Sequence, residues 1–370
     1  MAAEPRVLVV TPDFPPEAGG IQLLLSRIVE RSQGFNFKVL TLGQPDAPAW
    51  DAEFPAPIER VGSAAGDRRR AALRLSAQSL LEALRFRPDV ILSGHSVVSL
   101  GAIALRRTLR VPFVQYVHAD EYRVRAGVTS AAVKAADATI VVSRYTRGLA
   151  IEHGADPARI HVIHPGIDLP ELTDTARDPA TILTVAGMLF RYKGHDVMVR
   201  ALPLIRARVP DVRWVVIGDG AFRPAVESAV EAYGLGDCVD LLGRVDDATR
   251  DEWLNRASVF AMPSRVPAAG IGGEGFGIAY MEAEARGIPV IGGDLAGAQD
   301  AVDNGTTGIL IDPEDHLDLA DAATRLLVDR DLAATMGAAA RGYAEEHAWP
   351  LIAEQVGAVL REVAKRRRGG

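Results

Sequence analysis

The chain has one cysteine and no long apolar run, and each shortage removes a class of protein. Cys238 is the only cysteine among 370 residues. It can form no intrachain disulfide, and one thiol cannot build a cysteine-based zinc site. That suits a reducing compartment, so a cytoplasmic location is expected. No stretch approaches the roughly 18 consecutive apolar residues of a membrane-spanning helix. The first apolar run, residues 6–11, stops at Pro12 and is too short for the core of a secretory signal. Membrane contact is therefore expected to be at most peripheral, at the inner face. The net charge of −7 argues against a nucleic-acid partner. The histidines are scattered without metal-ligand spacing. A D-x-D triplet occurs only at Asp329 and Asp331, between two helix-length segments, where capping is the simpler use. No metal and no cofactor are expected.

What is present is alternation. Short apolar runs at residues 6–11, 37–42, 89–93, 112–118, 138–143 and 160–164 read as strands buried on both faces, with helix-length amphipathic segments between them. This pattern predicts a parallel sheet with right-handed crossovers. Residues 165–180, PGIDLPELTDTARDPA, break the rhythm and read as a linker. A second series follows at 181–186, 212–217, 239–242, 259–262, 289–291 and 308–311, and residues 331–347 and 350–366 read as closing helices. The prediction is an α/β chain of two Rossmann-like, doubly wound parallel-sheet domains with an interdomain cleft. The expected division is residues 1–170, residues 171–347, and a helix over 348–370 that crosses back to the first domain. Ligands bind such sheets beyond the carboxyl ends of the strands, so the residues after each strand are the ones to inspect.

Residues 274–282, EGFGIAYME, stand out. Glu274, Gly275, Phe276 and Gly277 read as a turn, and Ile278 opens a helix whose unpaired amides can meet an anion. Glu274 precedes the helix and Glu282 follows two turns later. One carboxylate can serve sugar hydroxyls and the other a ribose diol, although an acidic cap with an exposed glutamate would look the same. Gly218, Asp219 and Gly220 follow a strand, but Arg223 stands where a dinucleotide fingerprint needs its third glycine. That counts against a nicotinamide-dependent oxidoreductase and leaves Gly218 as a nucleotide-facing turn.

The spacing of Glu274 and Glu282 around a Gly-Phe-Gly-Ile core resembles the acidic motif of family 4 retaining glycosyltransferases, which have the GT-B fold. The segments TPDFPPEAGGIQ, FAMPSR and GIAYMEAEARGIPVIGG extend the resemblance over nearly the whole chain, closest in look to bacterial phosphatidylinositol mannosyltransferase-type enzymes. The resemblance implies transfer of a hexose from a nucleoside diphosphate sugar, of GDP-mannose or UDP-glucose type, to an acceptor hydroxyl on a lipid, polysaccharide precursor or small metabolite. It places Gly19 and Gly20 at the donor phosphates, with Asp13 and Gln22 toward the acceptor. His118, at a strand end and followed by Asp120 and Glu121 on the acceptor side, is implied near the transferred sugar. Lys193 and Arg191 can face the leaving diphosphate. The family's usual arginine in that loop is Met188 here. If Arg191 compensates, Met188→Arg should change the donor Michaelis constant only mildly, while Arg191→Ala should cripple the enzyme. The alternative is a non-catalytic or weakly hydrolytic nucleotide-sugar-binding protein. The implied reaction is metal-independent front-face attack, with domain closure excluding water.

A second feature concerns partners. Residues 67–88 carry Arg68, Arg69, Arg70, Arg74, Arg85 and Arg87, and Leu73, Leu80, Leu81 and Leu84 can share one helical face. Basic Lys365 to Arg368 lie near the end of the chain. The commoner arrangement packs such leucines on a sheet and leaves the arginines in water. The other is peripheral contact with an anionic membrane.

Overall fold

The structure, a computed structural model, describes every residue except 1–3, 18, 64–66, 173–175, 189–190, 267–272 and 369–370, and leaves the side chains of Arg68 and Arg368 undescribed. The chain forms two compact units, Met1–Gly166 with Trp349–Gly370, and Ile167–Ala348.

The first unit holds strands β1 (Arg6–Val10), β2 (Asn36–Leu42), β3 (Ile58–Val61), β4 (Val90–Ser93), β5 (Phe113–Val117), β6 (Ala138–Val141) and β7 (Ile160–Val162). They pair in parallel in the order β3-β2-β1-β4-β5-β6-β7. The second unit holds β8 (Thr181–Val185), β9 (Arg213–Ile217), β10 (Val239–Gly243), β11 (Val259–Met262), β12 (Val290–Gly293) and β13 (Gly308–Ile311), in the order β10-β9-β8-β11-β12-β13. Both are doubly wound sheets whose order reverses once, between β1 and β4 and between β8 and β11. At such a reversal the crossovers leave in opposite directions and a crevice opens above the strand ends. Register places the loops there together. Val10 lies beside Ser93, so the chains leaving β1 and β4 emerge side by side. Val259 and Phe260 pair with Ile182 and Leu183, which does the same for β8 and β11.

The central strands are mostly apolar because helices cover both faces, and the few polar residues in them, such as Ser93, Gln115 and Thr184, are buried. In the second unit, fully buried Trp214 packs in the core. Its indole donates to Thr184 Oγ1 at 3.0 Å, and Thr184 donates onward to the Ala261 carbonyl at 2.6 Å, so no polar atom of that chain is orphaned. Burying one such large side chain contributes on the order of 1.5–3 kcal/mol. Helix Trp349–Arg368 closes the first unit, with Trp349 buried against Gly166 and the Arg367 guanidinium donating to the Pro88 carbonyl. Residues after Gly166 are tied to the second unit. Arg177 donates to the carbonyls of Ala257, Arg286 and Gly287, at 3.0, 2.6 and 3.0 Å.

Helix Arg68–Phe86 corrects the sequence-based expectation. Apart from Leu75, its buried stripe is small or polar: Ala72, Ser76, Ser79, Glu82 and Ala83. Leu73, Leu81 and Leu84 are 59%, 52% and 58% exposed, while Leu80 is partly buried. The reason is a close helix crossing. A Cβ on Gly101 of helix Ser99–Thr108 would stand 2.4 Å from Ser79 Oγ and 2.7 Å from the Ser76 carbonyl, so only small residues fit there. The leucines are turned out by the face that must approach.

Candidate functional site

In the first unit a cavity of about 270 Å³ opens at the reversal of strand order. Pro12 and Asp13 reach it from the loop after β1, His95 and Val97 from the loop after β4, and His118, Asp120, Glu121 and Arg125 from beyond β5. Four residues proposed from sequence, Asp13, His118, Asp120 and Glu121, thus line one space, joined by Glu17, which the sequence did not single out.

Glu121 organises the wall. Its Oε1 accepts the Ser96 amide at 2.6 Å and lies 2.8 Å from His95 Nδ1, while Oε2 accepts the His118 amide at 2.7 Å. Burial alone would push its carboxyl up, but the His95 charge and these donors outweigh it and hold the group at about 2. His95 is the reciprocal case: burial lowers it, and the Glu121 carboxylate more than restores it, raising it above its ordinary value. His118 is pushed down to about 4, by burial first, so its imidazole is neutral near pH 7. It stacks on Tyr116 with ring centroids 5.5 Å apart, and its Nε2 is buried without a hydrogen-bond partner. Asp120 stays half exposed, 3.5 Å from Arg123. His95 is the residue that sequence analysis passed over as one scattered histidine. Only the β1–β4 register brings it to the cavity.

Gly19 and Gly20 open helix Gly20–Arg31. A Cβ on Gly19 would stand 2.2 Å from Gln22 Oε1, so Gln22 is folded back over the helix start.

In the second unit the central feature is an ion pair across the reversal of strand order. Lys193, in the loop after β8, donates its Nζ to Glu274 Oε2 at 2.5 Å, and both side chains are mostly buried. Glycines hold the loops that make this approach. Gly194, at φ +81°, leaves no room for a Cβ against the Pro263 carbonyl, and Gly297, which donates to the Glu274 carbonyl at 3.0 Å, abuts Gly275 in the same way. Gly218, at φ +143°, lies where a Cβ would stand 2.0 Å from the Ala186 carbonyl. Gly277 caps helix Ile278–Glu284 at φ +107°, while Phe276 is buried.

The remaining candidates are not gathered at this pair. Glu282 lies among the charges of Arg250, Arg286 and Asp251, and burial holds its carboxyl above the ordinary range against the pull of the two arginines. The Arg191 side chain is 67% exposed and donates to Asp196 Oδ2 at 2.8 Å, not toward Glu274. Met188 is fully buried in the core cluster of the second unit. Replacement by arginine would therefore bury a guanidinium, so its first effect is expected on stability rather than on the donor Michaelis constant. Arg265, one residue beyond Ser264 in the segment FAMPSR, is a buried cation that the sequence did not mark. Among the described residues no group of three or more His, Cys, Asp or Glu is arranged to hold a metal ion, and no helix is long and apolar enough to cross a membrane.

The comparisons with known proteins agree with this architecture. The model of the family "Glycosyltransferase Family 4" matches residues 18–171, and that of "Glycosyl transferases group 1" matches residues 174–343. The GDP-mannose-dependent alpha-(1-6)-phosphatidylinositol monomannoside mannosyltransferase of Mycobacterium tuberculosis is 31% identical, covering 96% of this chain and 98% of its own. Among solved structures, HepE of Anabaena in complex with UDP and glucose superposes with a TM-score of 0.77 at 19% identity, over 97% of this chain and 100% of its own. Sucrose-phosphate synthase of Thermosynechococcus elongatus gives a TM-score of 0.80 at 22% identity, over 97% and 98%. These likenesses give the fold as GT-B. With two Rossmann-like units, an acid-lined cavity on one and a lysine–glutamate pair on the other, the chain belongs to the family 4 glycosyltransferases and is a nucleotide-sugar-dependent glycosyltransferase.

Proposed function

We propose that this enzyme transfers a hexose with retention at the anomeric carbon and without a divalent metal, and that GDP-mannose is the first donor to test and UDP-glucose the second. The observation that carries the reading is the Lys193–Glu274 pair at the strand reversal of the second unit. Leaving-group departure places negative charge on the β-phosphate, and a preorganised ammonium beside it needs no reorganisation to stabilise that charge. In this reading Lys193 meets the diphosphate with the backbone of residues 275–278 in support, and Arg191 joins them only by leaving Asp196. Glu274 orients the transferred sugar, and Glu282 and the Gly218 turn serve the nucleoside. On the first unit, His118 with Asp13, Gln22, Asp120 and Glu121 receives the acceptor, and Gly19 and Gly20 approach the donor phosphates. The bond from the anomeric carbon to the β-phosphate oxygen breaks as the bond to the acceptor oxygen forms on the same face. The acceptor proton passes to the departing β-phosphate. The donor preference is supported by the mycobacterial relative, whose name specifies GDP-mannose. A weakly hydrolytic nucleotide-sugar-binding protein is the second reading, favoured by the buried Met188.

The test is transfer or donor hydrolysis assayed with EDTA, with the anomeric configuration of any transfer product read by NMR. Undiminished rates in EDTA and an α product from an α-linked donor are expected. Loss of activity restored by magnesium or manganese would rule the metal-independent reading out, and an inverted product would rule out retention.

We further propose that helix Arg68–Phe86 rests on an anionic lipid surface. Arg70, Leu73, Arg74, Ala77, Leu81, Leu84 and Arg85 are all exposed and follow helical spacing, so leucines lie between arginines on one stripe. Such a face can insert apolar tips while each nearby arginine adds about 1 kcal/mol at an anionic surface. Co-sedimentation with phosphatidylglycerol vesicles at low salt is expected. Replacing Leu73, Leu81 and Leu84 by serine should abolish it with little change in stability, because none of the three is in the core. No binding by the wild type, or undiminished binding by the triple variant, would refute the role of this face.

A further inference from the structure

We infer that Arg265 is a positioning residue for Lys193, acting by bracing the turn that carries it. The inference rests on the reading of Lys193 as the diphosphate-binding cation. The turn is a single 3-10 segment, Arg191–Lys193, entered from residues just after β8 and closed by Gly194. So short a segment has no helical ladder of its own to hold it, and something else must fix the lysine.

Arg265 supplies the contacts. It comes from the neighbouring strand, three residues past the end of β11, where the strand reversal brings the two loops together. Its own amide donates to the Tyr192 carbonyl at 2.8 Å. Its Nη2 donates to the Arg191 carbonyl at 3.1 Å and to Asp196 Oδ1 at 2.8 Å, and its Nε lies 3.2 Å from Glu314 Oε1. One guanidinium therefore grips the first residue of the turn, the acid just beyond it and an acid near the sheet's far edge. Asp196 is also the partner of exposed Arg191, so the brace and the surface cation share one carboxylate.

Two observations separate this from an ordinary buried ion pair. The side chain is only 8% exposed, where a charge is expensive to hold. Its Nη1 is nonetheless buried and has no hydrogen-bond partner. An unsatisfied buried donor is itself a cost in stability. A lysine would fill the space but has no planar fork to reach the Arg191 carbonyl and two acids together. The arrangement makes sense if the fork is needed to fix the backbone beside Lys193, whose ammonium sits 2.5 Å from Glu274 in the same crevice.

The test reads diphosphate recognition directly, without an acceptor. Binding of UDP, GDP, ADP and TDP, and of the matching monophosphates, is measured by calorimetry for the wild type, Arg265→Met, Arg265→Lys, Lys193→Ala and the Arg265→Met/Lys193→Ala double variant. The wild type is expected to prefer one diphosphate over its monophosphate by tenfold or more. Arg265→Met and Arg265→Lys should each shrink that ratio severalfold while leaving the monophosphate affinity in place. In the Lys193→Ala background, Arg265→Met should shrink it no further. A lost brace without a link to Lys193 would lower the melting temperature and leave the ratio alone, and that result overturns the inference. An equal effect of Arg265→Met in both backgrounds overturns it too. If Lys193→Ala alone keeps the wild-type ratio, or the wild type binds no diphosphate, the reading of Lys193 itself fails, and the inference falls with it.

Discussion

Lys193→Ala is expected to slow turnover by about two to three orders of magnitude, with a much smaller change in the donor Michaelis constant. The magnitude is that of a lost preorganised group facing charge that develops in the transition state, about 2.7–4 kcal/mol. The argument for an effect on kcat lies in the geometry. In the resting protein the ammonium is already paired with Glu274 at 2.5 Å, so part of its charge is satisfied before any donor arrives. What it can add on donor binding is therefore limited. In the proposed role, the β-phosphate becomes more negative when the glycosidic bond breaks, and the same ammonium would interact more strongly with it. An interaction that grows along the reaction coordinate raises kcat more than it lowers KM. Lys193→Ala also leaves Glu274 without its cation in a crevice where its side chain is only 14% exposed. That stranded carboxylate should also cost stability, up to the roughly 3–5 kcal/mol of a buried pair that loses one partner. Steady-state kinetics and urea unfolding separate the two effects. Wild-type kcat in a folded Lys193→Ala protein would end the assignment.

The second large effect concerns stability, at the position where the sequence departs from the family. Met188→Arg should destabilise the protein by about 3–5 kcal/mol, the range for a buried charge left unpaired. That is a large share of the 5–15 kcal/mol typical of a folded domain. Met188 is fully buried among Ile182, Val197, Trp214 and Val226. Its backbone cannot rotate the side chain outward without loss. Its amide donates to the Asp219 carbonyl at 3.0 Å, and its carbonyl accepts the Phe222 amide at 2.8 Å. These bonds join the turn after β8 to the turn after β9. A guanidinium at 188 must therefore enter the core or break the link between two site loops. Urea denaturation of Met188→Arg against the wild type measures the cost. A variant as stable as the wild type that binds the nucleoside diphosphate more tightly would show that position 188 can face the ligand after all.

Much of the fold could be read from the sequence because both sheets are covered on both faces. Strands buried in that way must be short apolar runs, and runs such as VLVV in β1 and FAM in β11 carry their own signal. Strand β3 escaped for the opposite reason. It is an edge strand of only four residues, IERV, half buried throughout. Its charged positions are stabilised by partners outside the strand, with Glu59 3.1 Å from Lys38 and Arg60 2.7 Å from Asp51. No local pattern encodes those pairs. The outward leucines of helix Arg68–Phe86 were hidden in the same manner. Hydrophobicity marks a residue as fit for a core, but the close crossing with Gly101 decides which face is small enough to be buried.

By itself the sequence determined the class of fold, through local periodicity, and the family, through the resemblance of its motifs, and it marked the segments to inspect for chemistry. Which of those residues meet was decided by tertiary structure. Lys193 and Glu274 are 81 residues apart, and His95 and Glu121 are 26 apart. They are brought together only by the order in which parallel strands pair. That order also turned Arg191 toward Asp196, buried Met188 in the core and placed Arg265 beneath the lysine turn. The physical reason is that charge, burial and hydrogen-bond satisfaction belong to a side chain's surroundings, and those surroundings are assembled from strands distant in sequence.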